Sequence, residues 1–103
     1  MSALLAKRLR EARLKAGLSQ EKLGVLAGID EMSASARMNQ YEREKHVPDL
    51  SMVERIASVL NLPAAYFYAV NDTEAELLQR FHRLKAKHKK HLLELIKEME
   101  DDA

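Results

Sequence analysis

Between Leu18 and Glu44 the chain has room for two short helices and a corner between them. The run opens Leu18-Ser19-Gln20-Glu21-Lys22-Leu23-Gly24-Val25-Leu26-Ala27-Gly28-Ile29. Ser19 is placed to cap a helix and Gly28 to stop it. It closes on Arg37-Met38-Asn39-Gln40-Tyr41-Glu42-Arg43-Glu44, a second helical stretch rich in polar side chains. Gly24 disfavours its own helix by roughly 1 kcal/mol relative to alanine, which implies that another helix comes too close for a side chain. Two such helices at a tight corner are the sequence form of a helix-turn-helix, whose second helix is shaped to enter the DNA major groove.

The rest of the chain extends the helical pattern. A first helix is expected from about Ser2 to Ala16, with Leu4, Leu5, Leu9, Ala12 and Leu14 as its apolar stripe and Gly17 as its stop. Leu23, Leu26 and Ala27 share a face of the second helix. Asp30, Ser33 and Ser35 all qualify as caps of the third, which places Met38 and Tyr41 inward and Asn39 and Gln40 outward. Pro48 holds Val47 extended. A fourth helix follows, capped by Asp49 or Ser51, with Leu50, Val53, Ile56, Ala57 and Leu60 at core spacing and Asn61 as a left-handed stop. Pro63 opens a short fifth helix over 64–68. Asn71-Asp72 breaks it, and Thr73 with Glu76 forms a capping box for the next. From Glu74 onward Leu77, Phe81, Leu84, His88, His91, Leu95 and Met99 repeat at spacings of four and three, widened by Leu78, Leu92 and Ile96. One long helix and a helical hairpin turning at Lys85-Ala86-Lys87 both satisfy that pattern.

A chain of 103 residues is one domain with an appended element. The reading is residues 1–70 as a helical domain and 73–101 as a C-terminal segment. Scarce glycine and proline argue for helix throughout. With no cysteine there is neither a disulfide framework nor a thiolate metal site. No long apolar run marks a leader or a membrane span, so a cytoplasmic protein with no membrane partner is expected. The net charge is only +1, but residues 1–22 carry a balance of +4 and residues 63–103 a balance of −1. The basic excess therefore lies beside the two-helix motif, where a nucleic-acid partner would want it.

The segment from about Leu9 to Tyr68 resembles the lambda-repressor/Cro-like (XRE) helix-turn-helix family. The resemblance rests on an ordered set of motifs: Leu9-Arg10-Glu11-Ala12-Arg13 before Gly17-Leu18-Ser19-Gln20, then Leu23, Ala27 and Gly28, then Tyr41-Glu42-Arg43 before Pro48-Asp49, and Ile56-Ala57-Ser58-Val59-Leu60-Asn61-Leu62-Pro63. It implies an all-α fold, a five-helix lambda-repressor-like DNA-binding domain with a C-terminal helix or hairpin. Two departures stand out. The stretch from Gly28 to Glu42 exceeds the family's usual form by about four residues, like a known variant with an extended turn. Glu44 stands where the family commonly has glycine, and in a left-handed conformation it would cost roughly 1 kcal/mol.

Counting back from Glu42, the resemblance places Ser35 and Ala36 at the N-terminal end of the recognition helix, with Arg37 and Gln40 among the base-contacting positions. Arg37 suits guanine and Gln40 adenine, and Ala36 suits a thymine methyl. Gln20, Asn39, Arg43 and Lys45 are the expected phosphate contacts, with Arg10 and Arg13 as weaker candidates. Glu42 is expected to serve the scaffold, paired with Arg10 or Arg13.

No other constellation carries chemistry. His82, His88 and His91 share helical spacing but lack a carboxylate or thiolate to complete a metal site. Ser33, Ser35 and His46 lack the logic of an activated nucleophile, and no glycine loop cradles a phosphate. The expectation is a non-enzyme with no cofactor and no metal. It acts as a transcriptional regulator, more in keeping with a repressor than an activator, binding an inverted-repeat operator in double-stranded DNA as a homodimer. The stripe Leu77, Phe81, Leu84, Leu92, Leu95 and Met99 is the expected dimer contact. The competing readings are an antitoxin or phage-immunity repressor that holds a protein partner through residues 74–103, and an interaction module that keeps the fold without binding DNA.

Overall fold

The structure, a computed structural model, describes residues 2–102. It is helical throughout: α1 (Ser2–Lys15), α2 (Gln20–Leu26), α3 (Glu31–Glu42), α4 (Leu50–Val59), a 3₁₀ stretch (Ala64–Tyr68), α5 (Asp72–His82) and α6 (Ala86–Asp101). None of these helices is long and apolar enough to cross a membrane.

Side-chain oxygens open four of the helices. Ser19 Oγ accepts from the Lys22 N–H at 3.0 Å, Asp30 Oδ2 from Met32 at 3.0 Å, Asp49 Oδ1 from Met52 at 2.8 Å, and Asn71 Oδ1 from Glu74 at 2.9 Å. Each satisfies one N–H that the helix leaves unpaired. For α5 this displaces the expected Thr73–Glu76 box, because Asn71 stands earlier in the chain with extended backbone and takes the capping position.

α1 to α4 all stop by the same device. A residue just past the helix takes a positive φ, namely Gly17 (72°), Gly28 (94°), Glu44 (62°) and Asn61 (54°). The N–H that follows each reaches back five residues: Leu18 to the Arg13 carbonyl, Ile29 to Gly24, Lys45 to Gln40 and Leu62 to Ala57. This closes the helix end and turns the chain sharply.

The core is a single cluster built around Leu9, Leu23, Met38, Val53, Ile56 and Phe67. Three residues expected in it stay outside. Leu14, Leu26 and Leu50 are exposed. α1 instead turns Arg8 and Arg13 inward, with no buried polar side-chain atom among the described residues left without a partner, and α2 and α4 bury Gly24 and Met52. Arg8 donates through Nε to the Ala69 carbonyl at 2.8 Å and through Nη2 to Asp72 at 3.1 Å, and its guanidinium lies 5.6 Å from the Tyr66 ring centre. It ties α1 to the start of α5.

The C-terminal segment is two helices, broken over 83–85. Ala75 anchors α5 in the core, and Arg83 donates to the carbonyls of Asn61 at 3.0 Å and Leu60 at 3.1 Å. These carbonyls lie at the C-terminal end of α4, where a cation is favoured. α6 has no buried residue. Its first turn reaches α5 through Lys89, whose ammonium lies 5.6 Å from the Phe81 ring centre.

Candidate nucleic-acid interface

α2 and α3 are held at close quarters by Gly24. A β-carbon there would stand 2.9 Å from Ala34 Cβ and 3.1 Å from both the Ala34 carbonyl oxygen and Met38 Cγ. Ala34 and Met38 are fully buried in that contact, and Tyr41 completes the inner face of α3. With its inner face so fixed, α3 turns Glu31 to Ser33, Ser35 to Arg37 and Asn39 to solvent.

The helix starts earlier than counting back from Glu42 suggests. α3 begins at Glu31, capped by Asp30 directly after the buried Ile29. The residues by which this stretch is long are wound into the helix as about one extra turn. Ser35 and Ala36 therefore lie in the second turn of α3, not at its N-terminal end. Both are exposed, as are Arg37 and Asn39, and Gln40 is half-buried. Arg43 is the C-cap residue and Lys45 follows the left-handed Glu44. Both are exposed at the end of the helix. The first turn of α3 begins ahead of these positions and carries Met32, which is 92% exposed.

Behind α3, Arg13 and Glu42 form a buried ion pair. Arg13 Nε donates to Glu42 Oε2 at 2.6 Å and Nη2 to Oε1 at 3.0 Å, and Nη1 donates to the Leu18 carbonyl at 2.9 Å. The side chains retain 10% and 2% of their exposure. The hydrogen bonds to Glu42 raise the Arg13 pKa, its burial works against them, and the Glu42 charge adds to the rise. Glu42 thus serves the scaffold, with Arg13 as its partner. Gln20 Nε2 joins the pair, donating to Glu42 Oε1 at 3.2 Å and to Asn39 Oδ1 at 3.3 Å. A carboxylate only accepts, so the Gln20 amide must turn its NH₂ inward. That fixes Gln20 on α2 against Asn39 on α3.

Around this network lies an open polar cleft of about 600 Å³, lined by Arg10, Arg13, Ser19, Gln20, Asn39, Glu42 and Arg43. With Arg13 neutralised by Glu42, the guanidinium groups of Arg10 and Arg43 beside two amides at the mouth of a helix corner suit an anionic backbone. The sequence model of the helix-turn-helix domain family matches residues 4–66 of the chain, spanning α1 to the 3₁₀ stretch. The chain belongs to the XRE-like helix-turn-helix DNA-binding family. Among solved structures, the helix-turn-helix chain is similar to the one titled "Crystal structure of transcriptional regulator BswR". The two are 48% identical, with a TM-score of 0.82 over 90% of this chain and 92% of that one. No curated protein sequence is significantly similar to it.

Away from the motif, the residues expected at a dimer contact fall on α5, α6 and the break between them. Leu77, Leu84 and Met99 are exposed, and Phe81, Leu92 and Leu95 are partly covered. Among the described residues no group of three histidine or carboxylate side chains is arranged to hold a metal ion.

Proposed function

We propose that this helix-turn-helix protein is a sequence-specific transcriptional repressor that occupies an inverted-repeat operator as a dimer and blocks polymerase sterically. The observation that carries the reading is the α2–α3 corner. Its inner face is locked by Gly24, Ala34 and the Arg13–Glu42 pair, and its outer face offers Ser35, Ala36, Arg37 and Gln40 to base edges. Asn39, Arg43 and Lys45 flank it as phosphate contacts, and Gln20, whose side-chain N–H groups are held by Glu42 and Asn39, adds its backbone N–H at the start of α2. Gln20, Asn39 and Arg43 line the cleft and Lys45 lies just past the end of α3. The likeness to BswR, titled a transcriptional regulator, extends over nearly the whole chain and points the same way.

One helix-turn-helix reads about half of a typical operator, so two copies on a two-fold site are the economical arrangement. The uncovered side of α6, continued by Leu77, Phe81 and Leu84, is the surface we assign to the second copy. A cytoplasmic location, and action without enzymatic chemistry or cofactor, fit this role.

The test is binding selection from a random duplex library with the full chain at two salt concentrations. An enriched inverted repeat, bound more weakly at high salt, is the expected result. Weak binding with no sequence preference would overturn the reading. It would turn attention to a protein partner for residues 74–103.

A further inference from the structure

We infer that Met32 is a specificity-determining residue of this interface, reading the C5-methyl group of a thymine in the major groove. The inference rests on the DNA-binding reading above and adds a reader one helical turn ahead of Ala36.

When a helix-turn-helix docks, the N-terminal residues of its second helix come nearest the base edges. With α3 starting at Glu31, those residues are the first turn, 31–34. Ala34 is fully buried against α2, which leaves Glu31, Met32 and Ser33 for the groove. Met32 lies four residues before Ala36, seven before Asn39 and eleven before Arg43. These positions form one ridge of the helix, on the side away from Ala34, Met38 and Tyr41. The ridge ends at Arg43 and Asn39 in the polar cleft, so a duplex held there meets Met32 at the other end.

The chemistry of the tip favours a base over the backbone. Asp30 and Glu31 put two carboxylates at the start of the helix, and Asp30 is tied there by its bond from the Met32 N–H. Their charge suits the helix dipole but repels a phosphate. The apolar group the tip presents is the Met32 thioether, the most exposed of the large hydrophobic side chains among the described residues. The apolar feature of the major groove is the thymine methyl. An unbranched, flexible thioether conforms to such a target.

The test compares the full-length wild type with Met32→Ala and Met32→Leu, first by duplex selection and then on the selected site with single thymines replaced by uracil, which lacks the methyl. Wild type is expected to prefer thymine at one position of each half-site. Uracil there should weaken binding about fourfold, as for one buried methyl group. Met32→Ala should lose the same factor on thymine and nothing further on uracil, and Met32→Leu should keep the preference. Thermal unfolding should be the same for all three, because a side chain this exposed supports no packing. Unchanged base preferences in Met32→Ala, or a loss that is equal on every sequence, would overturn the inference while leaving the DNA-binding reading intact. A wild type that enriches no sequence would overturn both.

Discussion

At Gly24 the absence of a side chain decides how two helices meet. An alanine there gains helix propensity of about 1 kcal/mol. Its methyl, however, would stand 2.9 Å from Ala34 Cβ and 3.1 Å from a backbone oxygen. Backbone cannot rotate aside, so α2 and α3 must part. Gly24→Ala is expected to destabilise the protein by roughly 1–3 kcal/mol, seen as a lower urea midpoint with an unchanged slope. Glu44 presents the opposite case. Its φ of 62° ends α3 in a conformation that a β-carbon disfavours. Glu44→Gly should therefore stabilise by about 1 kcal/mol, and no gain on chemical denaturation would show that the strain is relieved elsewhere. Residue type alone makes Gly17, Gly28 and Asn61 legible as stops, since glycine and asparagine take positive φ readily. Nothing in a glutamate advertises the same geometry. Only the family's usual glycine points to position 44.

At the scale of elements, the helices and most of their ends are legible in caps and periodicity. The start of α3 is not. Asp30, Ser33 and Ser35 are equivalent as capping types, and the choice among them is made by tertiary packing. Burial of Ile29 and Ala34 around the corner fixes the first turn at Glu31. The inward turn of Arg8 is hidden for a related reason. A basic residue reads as surface until its partner is placed, and Ala69 and Asp72 lie far along the chain from Arg8. For Arg13 the resemblance points to Glu42 but leaves Arg10 as an equal choice, which packing decides. The Arg13–Glu42 pair sets a measurable expectation. Removing one partner strands a buried charge, so Glu42→Ala should cost about 3 kcal/mol. The double variant with Arg13→Ala should lose less than the sum of the two singles, as a thermodynamic cycle would read out. The exposed face of α3 should behave differently. Arg37→Ala should leave stability unchanged and relax discrimination at one base pair by roughly 1–3 kcal/mol. Lys45→Ala should weaken all sequences alike and lower the salt slope by about 1. Identical behaviour of the two variants in a salt titration across several duplexes would mean that α3 lies in a different register.

Across the whole molecule the chain spans 53 × 26 × 22 Å, and its length comes with a sixth helix that no core claims. The spacing of Leu77, Phe81, Leu84, Leu92, Leu95 and Met99 announces an apolar face. Spacing alone does not say where the segment breaks, because Leu84-Lys85-Ala86 contains no glycine or proline and Lys85 offers no side-chain cap. An amphipathic helix of 16 residues without a buried side chain gains little from its own chain, and the second copy proposed above would cover it. The same helix offers a clean way to separate folding from assembly. Leu92→Asp with Leu95→Asp puts two charges on that face without touching the core, so helicity and thermal unfolding of the α1–α5 body should hold. Sedimentation should shift from dimer to monomer at micromolar concentration. Operator affinity should fall by about 10²-fold or more, on the order of what linking two sites contributes through effective concentration, while the base preferences within each half-site stay as they were. A variant that remains dimeric would move the interface to another surface. A monomeric variant that binds the full operator as tightly as wild type would show that α6 contributes nothing to DNA affinity through pairing.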